Sequence, residues 1–393
     1  MPQLSQRTQR LKASPIREIL KVIDQPEMIS FAGGLPAAQT FPQFNLSDLP
    51  PSTLQYGPSE GEPALREMIA RDLVDLGIDT EPDRILVLSG SQQGIDLVAK
   101  LFVDPGTAVA VEAPTYLAAL QVFEFFGADY RVFTPPSPDS MLNGGTPPVL
   151  AYCVPTFQNP SGHCYTARER KALADVCRSR DVVLFEDDPY RELVYDQCER
   201  TPICAYAKGA NWVYQSSFSK TFAPGMRLGY ITASESLFSS LVRLKQATDL
   251  HSSRVAQQLV MHHYSSSAAN ERMETLRTFY RERREHFAML LDEHFCDITE
   301  WDVPQGGLFF WLKLKGDRPI DTTALLAQSL PEGVAFMPGE AFFPTQPSAA
   351  SCLRLNFSHA TESQAARGVA KLARLVRHSI ESSRLQFSAA GLR

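Results

Sequence analysis

Between Ile85 and Thr232 the chain repeats one rhythm: a short continuous apolar run, then a longer stretch with apolar residues at helical spacing. No other feature limits the fold so strongly. Ile85 to Leu88 reads as a buried strand. Gln92 to Phe102 reads as a helix whose Ile95, Val98, Ala99 and Phe102 share a face. Ala108 to Val111 is a second strand, followed by a helix near Tyr116 to Phe126. Val149 to Val154 is a third strand, and Thr166 to Arg180 a helix with Thr166 as its N-cap. Val182 to Phe185 is a fourth, and Val213 to Gln215 and Leu228 to Thr232 read as two more. Strands that are apolar at successive positions are buried on both faces. The alternation therefore predicts an α/β fold, a mostly parallel central sheet with helices on both faces. Such sheets bind ligands at the carboxyl ends of their strands, so the residues after each strand are the candidates for chemistry.

The flanks differ. Residues 1–45 are irregular and carry Pro15, Pro26, Pro36 and Pro42; they read as an arm and part of a smaller α+β domain. Residues 46–292 read as the large domain, ending in a charged helix from Asn270 to Leu291. Residues 293–393 supply the rest of the small domain, with strands at Gly307 to Leu312 and Cys352 to Asn356.

Composition excludes several classes. With 44% hydrophobic and 21% charged residues over 393 positions, wholesale disorder is excluded. A chain of this length buries about 75% of its unfolded surface and needs no metal or disulfide staple. A net charge of −6 argues against general nucleic-acid binding. No apolar run approaches the length of a membrane helix, and the N-terminus lacks the apolar core of a signal peptide. The arm has no acid before Glu18 but carries Arg7, Arg10, Lys12 and Arg17, the charge pattern of a transit peptide without its clear amphipathicity. The seven cysteines form no CxxC pair and read as scattered free thiols of a reducing, cytoplasmic setting. No HExxH is present, and adjacent His262 and His263 face different sides of a helix, so no metal site is expected.

The candidate residues follow the strands. Ser89-Gly90-Ser91-Gln92-Gln93-Gly94 opens a helix. Small residues there let backbone N–H groups approach an anion, although an ordinary strand-to-helix turn reads the same way. Gln158-Asn159-Pro160-Ser161-Gly162 is a polar turn. Glu186-Asp187-Asp188-Pro189-Tyr190 puts three acids at the end of a buried strand, suited to a metal, to a solvated loop, or to at least one acid in a cleft. In Ser217-Phe218-Ser219-Lys220-Thr221-Phe222-Ala223-Pro224-Gly225-Met226-Arg227-Leu228-Gly229-Tyr230, Lys220 sits among apolar neighbours. A desolvated lysine has a depressed pKa and becomes the nucleophile that Schiff-base chemistry needs. Arg354, inside Leu353-Arg354-Leu355-Asn356-Phe357, is a candidate partly buried guanidinium, fit to bind a carboxylate through two hydrogen bonds.

Taken in order from Ser14-Pro15-Ile16-Arg17 to Arg354, these segments resemble the class I/II pyridoxal-phosphate aminotransferases of fold type I. The branch that includes 2-aminoadipate and kynurenine aminotransferases is the most similar. The resemblance implies pyridoxal 5'-phosphate as cofactor, held by the large domain. It implies that Lys220 is the Schiff-base lysine and moves the proton at the substrate α-carbon. Asp187, chosen over Asp188 by its spacing from Tyr190, would meet the pyridine nitrogen. Tyr190 and Asn159 would hydrogen-bond the ring's phenolic oxygen, and Tyr116 would stack on its face. Ser91, Gln92, Ser217, Ser219 and Arg227 would hold the phosphate. Tyr56, in Gln55-Tyr56-Gly57-Pro58, would reach it from the partner subunit of a homodimer with shared active sites. Arg354 would clamp the substrate α-carboxylate, helped by Asn159 and the Gly34 backbone. Arg17 would meet an acidic side chain at the pocket mouth, or simply be solvated. Ser137 to Pro148 departs from the resemblance: it is short and Gly/Pro-rich where the family usually carries a longer segment, which bears on the entrance and on substrate choice.

The implied function is transfer of the amino group of an L-amino acid, 2-aminoadipate-like or aromatic, to a 2-oxo acid such as 2-oxoglutarate, by a ping-pong mechanism. A different pyridoxal-phosphate reaction on this fold, a decarboxylase, β-lyase or synthase, would use the same cofactor residues. Transcription regulators with this fold need an N-terminal winged helix, for which motifs beginning at Ser14 leave no room. The partners implied are small-molecule substrates and a second copy of the chain, with no nucleic acid and no membrane.

Overall fold

The computed structural model describes residues 4–10, 25, 27–44, 49–265, 268–316, 319–344 and 351–390, with side chains to residue 382. A first strand, β1 (Ile29–Ser30), precedes the alternating region. That region supplies β2 (Ile85–Leu88), β3 (Ala108–Glu112), β4 (Asp129–Phe133), β5 (Leu150–Cys153), β6 (Val183–Asp187), β7 (Trp212–Ser217) and β8 (Gly229–Ala233). Among the described residues these form one seven-stranded sheet in the order β2-β8-β7-β6-β5-β3-β4. Pairing is parallel from β4 through β7, and β8 runs antiparallel between β7 and β2.

Side chains alternate across each strand, and they feed two cores. Leu86, Leu88, Val109, Val111, Tyr152 and Phe185 enter one, with the helices Ser91–Phe102 and Leu117–Phe126. Ile85, Val87, Ala110, Ala151 and Leu184 enter the other, with the helices Pro63–Asp75 and Ala167–Arg180. Helices thus cover both faces, as the continuous apolar strands require. Thr166 begins its helix with a complete capping box to Glu169.

β4 is absent from the sequence reading. It is an edge strand paired only with β3, and its Tyr130, Arg131 and Val132 are half-buried or exposed, so it has no continuous apolar run. Within Ser137 to Pro148, a 3-10 turn over Pro138–Leu142 buries Pro138 and Met141.

Later residues form β9 (Thr299–Glu300), β10 (Phe309–Leu314), β11 (Val334–Ala335), β12 (Met337–Pro338) and β13 (Cys352–Asn356). Four of them pair as β12-β13-β10-β9, all antiparallel, while β11 pairs in parallel with β1, Ile29 opposite Val334. β10 starts at Phe309 rather than Gly307. Gly307 instead has φ +74° and lies against Phe157, where an added Cβ would come within 2.7 Å of the Phe157 Cβ. Among the described residues no helix is long and apolar enough to cross a membrane.

Candidate active site

The parallel strands bring their carboxyl ends to one edge of the sheet. β8 runs the other way, so its first residues, not its last, lie at that edge. This is why Arg227, which precedes β8, joins residues that follow β2, β5, β6 and β7. A cavity of about 250 Å³ opens there, lined by Ser91, Gln92, Tyr116, Asn159, Asp187, Tyr190, Ser217, Ser219, Lys220 and Arg227. Those ten expected site residues therefore meet in one place.

One end of the cavity suits an anion. Ser91 starts the helix Ser91–Phe102, whose first N–H groups have no partner within the helix. Gly90 before it has φ +83°, and a Cβ there would lie 2.5 Å from an Arg227 guanidinium nitrogen. Glycine thus lets Arg227 close on the helix start. The Ser217 hydroxyl donates to Ser219 Oγ at 2.9 Å and accepts from the Ser219 backbone N–H at 3.1 Å. Lys245, a residue the sequence reading missed, is fully buried behind the turn at residues 89–93. It donates to Gln93 Oε1 at 2.8 Å, Asp249 Oδ2 at 2.9 Å and Ser252 Oγ at 2.9 Å. A single lysine on an amphipathic helix gives no sequence signal of such a role.

The three successive acids diverge. Glu186 accepts from the backbone N–H groups of Ile203 and Cys204, each at 2.9 Å. Asp188 accepts from the Tyr214 hydroxyl at 3.3 Å and lies 3.6 Å from Arg191. Only Asp187 lines the cavity. They form no metal cluster, and among the described residues no other group of His, Cys, Asp and Glu does. Asp187 Oδ2 accepts from the Tyr152 hydroxyl at 2.8 Å, while its buried Oδ1 makes no hydrogen bond of normal geometry, with the Gln215 amide as its neighbour. Burial pushes this carboxyl up to about 7, against Tyr152 and Gln215, which favour the carboxylate. Tyr152 also went unnoticed in the sequence, where it is one aromatic inside an apolar strand.

Lys220 is partly buried and donates to the Gly34 carbonyl at 2.9 Å. Burial first, then the Arg354 and Arg227 guanidinium groups, brings its amine down to about 8. Asn159 Nδ2 donates to the Tyr190 hydroxyl at 3.3 Å, and burial raises the Tyr190 phenol above its usual range. Burial also pushes the Tyr116 phenol up to about 12.

Arg354 lies on β13, 4% exposed. It donates to Asn159 Oδ1 at 2.7 Å and to the Ala32 carbonyl. Its guanidinium lies 4.3 Å from the Phe309 ring centre and 4.9 Å from that of Phe342. Burial brings it down to about 10. The Asn159 segment is held from behind by Glu112, which accepts from the Tyr165 hydroxyl at 2.7 Å and the Val154 N–H at 2.9 Å. Glu112 ends an apolar strand and carries no motif, so it too was missed.

Two expected residues are not in this group. Tyr56 is 76% exposed and packs edge-on against His251 at 5.8 Å, outside the cavity. Arg17, with the rest of Ser14 to Arg17, lies outside the described residues.

Comparison with known proteins agrees with this geometry. The family model for aminotransferase class I and II matches residues 36–372. The chain is 34% identical to a 2-aminoadipate transaminase of Thermus thermophilus, over 94% of this chain and 95% of that protein. It is 33% identical to aromatic-amino-acid aminotransferase 1 of Thermococcus litoralis, over 96% and 94%. The crystal structure of an alpha-aminoadipate aminotransferase from Thermus thermophilus, complexed with N-(5'-phosphopyridoxyl)-L-leucine, superposes with a TM-score of 0.86 at 32% identity, covering 96% of this chain and 98% of that one.

Proposed function

This chain belongs to the class I and II aminotransferases, with pyridoxal 5'-phosphate as cofactor, and we propose that it passes the amino group of a 2-aminoadipate-like or aromatic L-amino acid to 2-oxoglutarate by a ping-pong mechanism. One observation carries the reading. Lys220 and Arg227 line the cavity and Arg354 adjoins it through Asn159, while Asp187 is its only acid. Among the described ion pairs, none joins Lys220, Arg227 or Arg354 to a carboxylate. Arg354 is a buried cation without a counter-ion, which is costly, and with Lys220 and Arg227 at the cavity an anionic ligand would relieve that cost.

The residues fit the cofactor. Ser91, Gln92, Ser217, Ser219 and Arg227 would hold its phosphate, and Tyr116 its ring face. Asp187 Oδ1 would accept a hydrogen bond from the protonated pyridine nitrogen, with Tyr152 fixing the other carboxylate oxygen. Tyr190 and Asn159 would share the ring's phenolic oxygen. Bound, the cofactor supplies an electron sink for the pair released at the substrate α-carbon. Lys220 Nζ would hold the cofactor and then move the α-carbon proton, which needs an amine titrating near neutrality. Arg354 would bind the α-carboxylate common to amino acids and 2-oxo acids, so one clamp serves both halves of a ping-pong cycle. Phe309 and Phe342 beside it give an apolar, aromatic wall for the side chain. Arg17 would serve an acidic side chain. Tyr56, exposed and outside its own cavity, would complete the phosphate site of a second copy in a homodimer.

The test is the visible spectrum of purified protein given L-2-aminoadipate or L-phenylalanine without any oxo acid. Bleaching of the yellow form to the pyridoxamine form is expected, and 2-oxoglutarate should restore the colour. A yellow protein that converts with neither donor overturns the proposed donor class. The Lys220 amine gives a second expectation. Only the neutral amine takes up the aldehyde, and it is neutral above its pKa. The rate at which cofactor-free protein captures pyridoxal 5'-phosphate should therefore rise with pH up to about 8 and level off above it. Stopped-flow absorbance measures this; a rate still climbing past pH 10 contradicts it.

A further inference from the structure

Cys164 and Cys198, which the sequence presents as two of seven scattered thiols, meet beside the turn that carries Asn159. Both are partly exposed, and Cys198 directly precedes Glu199, whose carbonyl contacts the Cys164 sulfur. Cys164 Sγ donates to the Glu199 carbonyl at 3.1 Å, and an Arg170 guanidinium nitrogen lies 3.7 Å from the same sulfur.

Arg170 makes this arrangement unusual. It is fully buried. Its other hydrogen bonds go to the carbonyls of Pro155, Tyr165, Glu199 and Thr201 and to the Thr156 hydroxyl. Among the described residues no carboxylate hydrogen-bonds to it. The Glu186, Asp188 and Glu199 carboxylates act on it only through space, so an ionised Cys164 would be an anion in direct contact with it. The same guanidinium ties residues 155–165 to residues 199–201, so the two sulfurs are held together by fixed segments on either side.

We infer that Cys164 and Cys198 form an oxidation site, in which Cys164 reacts with a hydroperoxide and Cys198 closes a disulfide onto it. The Cys164 thiolate attacks one peroxide oxygen and the O–O bond breaks. The products are Cys164 sulfenic acid and, after proton uptake, water. The Cys198 sulfur then attacks the Cys164 sulfur, the S–O bond breaks, and a second water leaves. Two thiols are oxidised by two electrons in all, and one hydrogen peroxide is reduced to two waters. The roles follow from the surroundings. The Arg170 guanidinium lies against the Cys164 sulfur and favours its thiolate, which makes Cys164 the attacking thiol and Cys198 the resolving one. The Glu199 carbonyl, which accepts the Cys164 proton, opposes this. Arg200 is the other charge near Cys198, and the neighbouring His163 ring lies 3.4 Å from the Glu169 carboxylate. Cys153, Cys177, Cys204 and Cys352 are buried, and burial pushes each thiol up. Cys296 is exposed and serves as the internal control. The inference does not rest on the aminotransferase reading.

The test treats the holoenzyme with hydrogen peroxide at neutral pH. The thiols are then alkylated, and the protein is digested without reductant for mass spectrometry. The expected result is a linked peptide pair joining Cys164 to Cys198, loss of two titratable thiols, and return of both with dithiothreitol. C198S should stop at the first step and give a dimedone adduct on Cys164. C164S should leave Cys198 free to alkylate. Circular dichroism and the bound-cofactor spectrum verify that both variants fold. Oxidation confined to Cys296, or a Cys164 sulfenic acid in the unaltered protein that never closes onto Cys198, overturns the inference.

Discussion

Replacing Lys220 with alanine should lower turnover by a factor on the order of 10⁴, because it removes both the amine that holds the cofactor and the base that moves the α-carbon proton. The fold should survive. Lys220 makes one hydrogen bond, to the Gly34 carbonyl, and its burial disfavours the charged form. The linkage has a definite sign. A folded pKa of about 8, below the unfolded 10.5, means the unfolded chain binds more protons between those values. Stability contributed by this group therefore rises as the pH climbs from about 8 toward 10.5, and the alanine variant loses that rise. Initial rates, the thermal midpoint of cofactor-free protein and its pH dependence measure all three. A variant with wild-type turnover would remove Lys220 from the reaction.

Replacing Arg354 with alanine should cut kcat/KM for amino acids by about 10² to 10³, the cost of leaving a buried carboxylate without its cation. Most of the loss should appear in KM, with cofactor affinity changed only a few-fold, because Arg354 adjoins the cavity through Asn159 while Arg227 sits with the helix start and serines. Lysine should rescue little, since it cannot present two parallel donors to one carboxylate. The thermal midpoint should not fall with the affinity: the guanidinium is packed between Phe309 and Phe342 with no anion hydrogen-bonded to it. Equal losses of cofactor and amino-acid binding would contradict a carboxylate clamp.

Much of this site is legible before any coordinates are known. Ser91, Asn159, Asp187 and Lys220 each follow a run whose apolar continuity marks a buried parallel strand, and parallel strands present one edge to a ligand. Arg227 obeys a different logic. It precedes its strand, and only the reversal of β8 brings it to the same edge. Glu112, Tyr152 and Lys245 carry no sequence signal, because each acts through partners distant in the chain: Tyr165, Asp187 and Gln93. The resemblance selects Asp187 over Asp188 by spacing; the physical reason is visible only in the fold, where Glu186 and Asp188 are tied to backbone N–H groups, Tyr214 and Arg191.

By itself, then, the sequence determined the architecture and most of the residues that come to line the cavity. Apolar periodicity is a local property, and a lysine among phenylalanines announces its own desolvation. Tertiary structure alone decided the edge strand β4, the supports behind the reacting groups, the separate fates of three adjacent acids, and the meeting of Cys164 with Cys198. Those depend on which distant segments come to lie together, and a hydrogen bond or a buried charge acquires its energy only once both partners have left the water.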